Sequence, residues 1–185
     1  MTDAHATRPS RPPIDRKNLV ALDEDVDAAV ITVSTRCSRG EGTDKSGPTA
    51  VEKLADYRLI AREPVIVPDE IDAIREAVGR AIDNGARLVV TTGGTGITPG
   101  DVTPEACEPL VSQRLWGLEV QILQRGLAST PLAGLSRGIV GVVNHHGRKA
   151  ILVNAPGSLG GVKDVLAVIG PLFAHLYEQL RNSDH

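Results

Sequence analysis

The order of apolar runs in the first half of the chain constrains the fold most strongly. AAVITVS at Ala28–Ser34 and ARLVVTT at Ala86–Thr92 are nearly continuous apolar runs, typical of strands buried on both faces of a parallel sheet. EPVIV at Glu63–Val67 predicts a third strand between them. Helical patterns separate the three runs. The predicted order is therefore strand, helix, strand, helix, strand, with right-handed crossovers.

Two helices are predicted between these strands. After a loop at Thr35–Gly47, the first helix begins near Pro48, where a first helical turn tolerates proline, and runs to about Tyr57. The second helix has apolar residues at helical spacing and ends at the Asn84-Gly85 pair, a favourable C-terminal cap.

The second half of the chain predicts a helix at Leu118–Ala128, a β-hairpin and a long final helix. The hairpin pairs Gly138–Asn144 with Lys149–Asn154. The final helix spans Val162–Leu180, with a kink or a restart at Pro171. One α/β domain, residues 26–185, accounts for all of these elements.

Residues 1–25 differ from this domain in composition. The run RPSRPP cannot be helical, and DEDVD at Asp23–Asp27 is acidic, so residues 1–25 predict a flexible tail. No apolar segment typical of a secretion signal stands before the domain, so none is expected.

Charge and composition argue against several classes of partner. Lys and Arg total 20 against 23 Asp and Glu, which gives a net charge of −3 and no basic field for a nucleic-acid backbone. One Phe, one Trp and two Tyr are too few for a platform that stacks bases. The longest apolar candidate, Val165–Leu176, is shorter than the about 18 residues that a membrane span needs. We therefore expect neither nucleic acid nor a membrane as a partner.

The residues that commonly bind metals show no metal-site spacing. Cys37 and Cys107 lack the spacing of metal ligands or of a disulfide framework, and two unpaired thiols predict a cytoplasmic chain. His145-His146 raises the possibility of a metal. In a hairpin turn, however, adjacent histidines are expected to point apart and to lack partners, which favours a solvated turn.

The most informative stretch is TTGGTGITPGDVTPEA at Thr91–Ala106. It follows the carboxyl end of an apolar strand, where open α/β sheets place their ligands. Three glycines, Gly93, Gly94 and Gly96, let the backbone approach a bound group closely. A helix is predicted near Pro104, and its N-terminus favours an anion.

The loop does not match the common nucleotide motifs. A dinucleotide fingerprint requires glycine where Pro99 stands, so an oxidoreductase is disfavoured. A Walker A loop requires a lysine, and the stretch has none. Asp101 and Glu105 add carboxylates, which a phosphate site that uses Mg²⁺ usually needs.

On these residues the chain resembles the Mog/MoaB family of molybdenum cofactor biosynthesis, which includes molybdopterin adenylyltransferases and the G domain of gephyrin-like proteins. The long glycine motif carries the resemblance. Shorter matching segments occur in the family's order: DKSGP at Asp44–Pro48, VPDE at Val67–Glu70, LSR at Leu135–Arg137 and NAPGS at Asn154–Ser158. They extend over about Ala28–Leu180.

The resemblance implies a three-layer α/β/α sandwich with a mostly parallel sheet and a C-terminal β-hairpin, and it implies a homotrimer. It also implies transfer of AMP from Mg-ATP to the terminal phosphate of molybdopterin, with a molybdate-insertion protein as a possible partner. Asp69 and Asp101 would be the catalytic acids. The implied substrate-binding residues are Asp44, Ser46, Gly47, Thr92, Gly93, Gly94, Thr95, Gly96, Glu105, Ser136, Arg137, Asn154, Pro156, Gly157 and Ser158.

The chemistry fits these residue types. The attacking group is itself a phosphate oxygen, so the reaction needs alignment and charge neutralisation more than a general base. Asp69 and Asp101 are accordingly interpreted as Mg²⁺ anchors. With so few aromatics, a pterin is expected to lie on backbone and aliphatic surfaces.

Two positions depart from the family. Gly100 stands where most members have Arg, and glycine cannot supply the bidentate charge of a guanidinium. Lys45 or Arg137 could compensate. Ala155 replaces the usual Leu, a change expected to affect packing only. The alternative to an enzyme is a non-catalytic molybdopterin-binding or scaffold protein of the same pathway.

Several candidate residues also have structural interpretations. Asp69 could cap the following helix, with Asp72 completing a capping box. Asp44 could close a turn, and Ser46 could be the N-cap of the helix at Pro48. The apolar stripe at Leu118–Ala128 is most simply core or a subunit contact.

Overall fold

A computed structural model describes residues 19–182. Seven strands form one sheet: β1 Val26–Val33, β2 Leu59–Ala61, β3 Val65–Val67, β4 Leu88–Thr92, β5 Val111–Arg114, β6 Val140–His145 and β7 Arg148–Ala155. The helices are α1 Thr35–Ser38, α2 Ser46–Ala55, α3 Ile71–Asp83, α4 Thr103–Cys107, α5 Trp116–Leu127 and α6 Leu159–Asn182. Two short 3₁₀ helices, Glu108–Leu110 and Pro131–Leu135, precede β5 and β6.

The sheet is parallel on one side and antiparallel on the other. Its order is β2-β1-β4-β7-β6-β5, and β3 pairs with the carboxyl half of β1 beyond β2. The strands β1 to β4 and β7 are parallel, whereas β6 and β5 are antiparallel additions. The predicted parallel core and C-terminal hairpin are confirmed.

Three short elements differ from the sequence prediction. The predicted strand Glu63–Val67 corresponds to β3, which covers only Val65–Val67. A separate strand that was not predicted, β2, lies before it at Leu59–Ala61. The predicted loop after β1 contains the one-turn helix α1. The edge strand β5, with the sequence VSQR, was not predicted because it lacks an apolar run and is ordered by pairing with β6.

Two apolar layers cover the sheet, as a three-layer sandwich requires. On one face, alternate residues of β1, β4 and β7 pack against α2 and α6 around the fully buried Phe173. On the other face, the intervening residues pack against α3 and α4 around Ile74 and Leu152. Because successive side chains of a strand point to opposite faces of the sheet, each strand contributes residues to both apolar layers.

The final helix α6 is one continuous element. It runs from Leu159 to Asn182, so the predicted restart at Pro171 is wrong. By length and apolar composition alone, its stretch Leu159–Arg181 is sufficient to cross a membrane, which the sequence analysis did not expect. Its apolar side is accounted for by packing, since Val162, Leu166 and Ile169 are buried against the sheet.

The end of the predicted tail contacts the domain. Residues 1–18 lie outside the described part of the chain. Leu22 packs against the core, and the Arg58 guanidinium donates to the carbonyl oxygen of Asp23 at 2.6 Å and to the carboxylate of Asp25 at 3.0 Å. The described residues Leu22, Asp23 and Asp25 therefore contact the domain.

The hairpin turn also differs from its predicted description. His145 and His146 do not point apart, because their ring centroids are 4.0 Å from each other. They also have a partner, since the carboxylate of Asp83 lies 3.4 Å from Nε2 of His145 and 3.3 Å from Nδ1 of His146. The expectation failed because Asp83 is distant in sequence and reaches the turn only through the packing of α3 on the sheet.

Candidate functional site

The glycine loop after β4 is held close to the ends of its neighbouring strands. Gly93 has φ +97°, and a Cβ atom there would overlap the carbonyl oxygen of Val33, so only glycine fits. Its N–H donates to the carbonyl oxygen of Ala155 at 3.0 Å. The loop therefore joins the carboxyl ends of β1, β4 and β7, where α/β sheets place ligands.

The end of the loop is fixed by Arg137. Its Nε donates to the carbonyl oxygen of Gly96 at 2.6 Å, and a second nitrogen donates to the carbonyl oxygen of Asp101 at 2.7 Å. The third nitrogen pairs with the carboxylate of Glu105, and this pairing lowers the pKa of Glu105. All three contacts are within the protein, so Arg137 orders the loop.

Asp101 is an ionised carboxylate at the border of the loop. Its Oδ2 accepts from the hydroxyl of Thr98 at 2.7 Å and from the N–H of Thr98 at 2.9 Å. The hydroxyl hydrogen bond lowers the pKa of Asp101 most, burial opposes it, and the charge of Arg137 adds a smaller lowering. The side chain therefore carries its charge at neutral pH.

Asp69 approaches the same loop from the end of β3. Its Oδ2 accepts from the N–H of Thr35 at 2.7 Å and from the hydroxyl of Thr35 at 2.8 Å. Its Oδ1 lies 3.4 Å from the position that a Cβ on Gly94 would take. The predicted cap is wrong, because α3 has Glu70 at its N-cap position and no side-chain capping bond. The carboxylate binds the start of α1 instead.

Asp44, Ser46, Gly47 and Thr92 form a second polar cluster beside β1. One oxygen of Asp44 accepts from the hydroxyl of Ser46 at 3.1 Å and from the N–H of Gly47 at 3.0 Å. The hydroxyls of Ser46 and Thr92 lie 3.0 Å apart. Ser46 is the first residue of α2 and not its N-cap, so that interpretation is wrong. Asp44 closes the turn before α2, as its structural interpretation proposed.

The NAPGS segment lies beside the glycine loop. Asn154 is buried, and both polar atoms of its side chain are bonded within the protein. Its Nδ2 donates to the hydroxyl of Thr91 at 2.9 Å, and its Oδ1 accepts from the N–H of Ile139 at 3.3 Å. Ser158 accepts from the N–H of Gly161 at 3.1 Å and thereby caps α6. Gly157 lies against Gly93, because a Cβ there would be 3.3 Å from the Cα of Gly93.

A cavity of about 1190 Å³ opens over these segments. Eleven predicted site residues line it: Gly93, Gly94, Thr95, Gly96, Asp101, Ser136, Arg137, Asn154, Pro156, Gly157 and Ser158. The others are not among its lining residues: Asp44, Ser46, Gly47, Asp69, Thr92 and Glu105. Of these, Glu105 pairs with the lining residue Arg137, and Asp69 lies against Gly94. Asp44, Ser46, Gly47 and Thr92 bond to one another beside β1.

The opposite wall of the cavity comes from α5 and was missed by sequence reasoning. Trp116, Val120 and Leu123 face the cavity although each is at least 40% exposed. The guanidinium of Arg114 lies 4.0 Å above the Trp116 ring, and Glu119 pairs with Arg114 at 2.8 Å. The only tryptophan of the chain lines the cavity, so an aromatic surface that the sequence analysis did not single out stands beside the backbone and aliphatic surfaces expected for a pterin.

Gly100 has room for the side chain that the family usually carries there. A Cβ at Gly100 would meet no described atom within 4 Å. Arg137 cannot replace that missing guanidinium, since its nitrogens are bound within the loop. Lys163, on the first turns of α6, lines the cavity and supplies a cation that the sequence analysis did not single out.

The residues at the loop fit a magnesium ion in their donor chemistry. Mg²⁺ prefers one or two carboxylates together with phosphate oxygens of the substrate. Asp101 borders the cavity, and Asp69 abuts Gly94 of the same loop. Each has one oxygen held by a threonine, which fixes the carboxylate plane.

The sequence matches a family profile described as "Probable molybdopterin binding domain" over residues 29–175. The molybdopterin adenylyltransferase of Pyrococcus furiosus is 35% identical over 82% of this chain and 89% of its own length. Molybdenum cofactor biosynthesis protein B of Staphylococcus carnosus is 35% identical over 87% of this chain and 94% of its own length. Gephyrin of Dictyostelium discoideum is 33% identical over 90% of this chain, but the chain spans only 24% of that protein.

Solved structures agree with these relatives. A molybdopterin biosynthesis protein of Mycobacterium abscessus is 37% identical and superposes with a TM-score of 0.78 over 86% of this chain and 99% of its own. The tungsten cofactor synthesizing protein MoaB of P. furiosus is 34% identical, with the same TM-score and the same coverage. The sequence match, the sheet topology and the glycine loop agree, and the chain belongs to the Mog/MoaB family of molybdenum cofactor biosynthesis.

Proposed function

We propose that the chain binds molybdopterin in the cavity and transfers AMP to it from Mg-ATP. The observation that carries this proposal is the glycine loop, which exposes backbone beside the ionised Asp101. Relatives named molybdopterin adenylyltransferase, in P. furiosus and Helicobacter pylori, are 35% identical to this chain. They favour an enzyme over the scaffold alternative.

The proposed step is a displacement at the α-phosphorus of ATP. An oxygen of the terminal phosphate of molybdopterin attacks, a new P–O bond forms, and the bond to the β-phosphate breaks to release pyrophosphate. Because the attacking oxygen is already anionic, no general base has to remove a proton. Catalysis then consists of holding two anions in line and neutralising their charge.

The loop residues would supply that alignment. Backbone N–H groups of Gly94 and Thr95 are the proposed donors to a phosphate, since a glycine loop lets a ligand reach the main chain. The N–H of Gly96 is directed at the carboxylate of Asp101 instead. The hydroxyl of Ser136, which bonds to Thr95 at 3.3 Å, would add a further polar contact. Arg137 acts through Gly96 and Asp101, so we propose it as a positioning residue.

We propose Asp101 and Asp69 as the anchors of Mg²⁺. A bound Mg²⁺ would neutralise the phosphates of ATP. The two carboxylates would hold the ion beside the loop, and the Thr98 and Thr35 contacts would keep them oriented without consuming both oxygens. Lys163 would contribute the cation that Gly100 does not.

The α5 wall is the proposed binding surface for the pterin ring. A pterin is a flat, conjugated ring, and the exposed face of Trp116 with Val120 and Leu123 offers an apolar surface of matching character. The phosphate would then lie toward Gly93–Gly96. The cavity's two walls therefore suit the two ends of molybdopterin.

Oligomeric state, partner and compartment follow the family in this proposal. We propose a cytoplasmic homotrimer that passes its product to a molybdate-insertion protein. Exposed apolar residues on and after α5, among them Leu127 and Leu132, favour association with other chains. Within this helix Leu118 and Ile122 pack on the core, so only one side of the predicted stripe remains available for a subunit contact.

The direct test is pyrophosphate release from Mg-ATP in the presence of molybdopterin. We expect release only with both substrates, and a fall of about 10²–10³ in kcat for Asp101→Asn, the range for losing one electrostatic stabiliser. Asp72→Asn, an exposed carboxylate at the start of α3, is the matched control and should behave as wild type. Bound pterin without any pyrophosphate release would favour the scaffold protein. A rate within threefold of wild type for Asp101→Asn would remove Asp101 from the mechanism.

A further inference from the structure

A cluster of metal-ligating side chains lies at the edge of the sheet opposite the cavity. It consists of Asp83, the last residue of α3, with His145 and His146 at the turn between β6 and β7. Because β7 starts at this turn and ends beside the glycine loop, its eight residues place the cluster roughly 25 Å from the loop. The cluster is therefore separate from the proposed adenylyl-transfer site.

From this cluster we propose a binding site for a divalent transition metal of the zinc type, with Asp83, His145 and His146 as its protein ligands. The potential ligand atoms all lie within 4.8 Å of one another. The carboxylate of Asp83 is 3.4 Å from Nε2 of His145 and 3.3 Å from Nδ1 of His146. A tetrahedral zinc site with bonds of about 2.1 Å has ligand atoms about 3.4 Å apart. The two short contacts use different oxygens of Asp83, so either one matches this spacing and the third ligand has to move closer on binding.

The backbone of the turn aims His146 at the carboxylate. His146 and Gly147 have φ 51° and 80°, the values of a two-residue type I′ hairpin turn. Arg148, the first residue after the turn, donates to the carbonyl oxygen of Asp83 at 2.7 Å. The turn and the end of α3 are thereby joined independently of any metal, so the segments that carry the three ligands are already held side by side.

The position of His145 depends on a glycine in the neighbouring helix. A Cβ atom on Gly79 would lie 3.0 Å from both Cε1 and Nε2 of the His145 ring. Glycine inside a helix is less favourable than alanine. Gly79 therefore gives up helix stability at the point where its missing side chain makes room for the potential ligand atom.

The donor set decides the class of metal. Two imidazoles with one carboxylate suit Zn²⁺ and its neighbours, whereas Mg²⁺ and Ca²⁺ prefer oxygen ligands alone. The guanidinium of Arg148 and the Arg80–Glu76 pair also lie on these elements, and the positive charge of Arg148 opposes a bound cation.

The experiment is a titration of the metal-stripped full chain, without an affinity tag, by ZnCl₂ in a calorimeter at pH 7.5. We expect one Zn²⁺ per chain and a rise of several degrees in Tm at saturating Zn²⁺. His146→Asn retains a residue that tolerates positive φ, and Asp83→Asn retains the shape of the carboxylate. Each should weaken binding by more than about tenfold. Gly79→Ala removes no ligand but should weaken binding by about tenfold through His145.

His175→Ala is the control, because His175 is an exposed histidine of α6 that contacts Gln179 and lies outside the cluster. It should bind Zn²⁺ as wild type does. The proposal is overturned if wild type binds no Zn²⁺, or if His146→Asn and Asp83→Asn bind as tightly as wild type. Circular dichroism of each variant checks its fold. Binding is measured without either substrate of the proposed reaction, so the result is independent of that function.

Discussion

The two walls of the cavity are built by opposite means. The glycine wall, Gly93–Gly96 with Asp101 and Arg137, is held by a dense set of hydrogen bonds between backbone and side chains. The α5 wall, formed by Trp116, Val120 and Leu123, presents apolar side chains that are largely exposed. The first wall is ordered without a ligand, and the second leaves apolar area that a ligand or another chain can cover.

This difference indicates that the two walls have different roles in binding and catalysis. A preorganised polar wall is suited to hold charge where a reaction takes place, because its dipoles need no rearrangement. An apolar wall contributes affinity that is nearly the same in the ground state and the transition state. Changes on the glycine wall should therefore affect the fold or kcat, whereas changes on the α5 wall should affect KM.

The largest effect of the variants below is expected for Gly93→Ala. The alanine Cβ would overlap the carbonyl oxygen of Val33 and would also require φ +97°. We expect the free energy of unfolding to fall by about 3 kcal/mol, measured by urea denaturation. Gly40→Ala is the matched control, since Gly40 has φ +73° but no neighbour within 4 Å of its Cβ position. It should cost only about 1 kcal/mol. Equal losses would show that the close approach to Val33 is unimportant.

The second variant removes the aromatic face of the α5 wall. For Trp116→Ala we expect KM for molybdopterin to rise about tenfold with little change in kcat, because stacking on an aromatic ring contributes about 1–3 kcal/mol. Stability should change little, since Trp116 is 62% exposed. Ile60→Ala, at an exposed position of β2, is the control for loss of an exposed apolar side chain. A fall in kcat with KM unchanged would contradict the division between the walls.

A smaller effect is expected on restoring the arginine that the family usually carries. Gly100→Arg introduces a guanidinium into open space beside Asp101. We expect kcat/KM for ATP to rise by about threefold, since an added surface charge is worth up to about 1 kcal/mol. Gly117→Arg places the same charge at an open position of α5 and should leave kcat/KM unchanged. No difference between the two variants would mean that Gly100 does not limit turnover.

The smallest effect concerns pH. Thr98→Val removes the hydroxyl that lowers the pKa of Asp101 most, so this pKa should rise toward its ordinary value. An ionised Asp101 is needed for Mg²⁺, and activity falls as pH drops through its folded pKa. The acid limb of the kcat/KM profile should therefore move to higher pH. Because the pKa of Asp101 is lower in the folded state than in the unfolded state, its ionisation stabilises the fold at pH values above the unfolded-state pKa. This stabilisation is lost as the pH falls through the folded-state pKa of Asp101. If the acid limb of the kcat/KM profile did not move, the ionisation that causes it would belong to a residue other than Asp101.

The loop of the glycine wall was predictable because Gly93–Gly96 and Asp101 lie in one stretch of sequence, whereas Arg137 comes from a separate segment. Gly93, Asp101 and Pro104 lie within one stretch after an apolar strand, and that order alone implies a ligand loop. Trp116 was missed because it reaches the cavity through β5, an edge strand that only its pairing with β6 orders. Asp69 was located near the site, but its contact with Thr35 spans 34 residues and no local pattern reveals it.

In the proposed complex, molybdopterin lies between the two walls, with its phosphate on the glycine loop. A crystal structure of the chain with molybdopterin and a non-hydrolysable ATP analogue tests this most directly. We expect the phosphate of molybdopterin within hydrogen-bond distance of the backbone N–H groups of Gly94 and Thr95, and the pterin ring against Trp116. A pterin bound elsewhere, with no phosphate at this loop, would contradict the account.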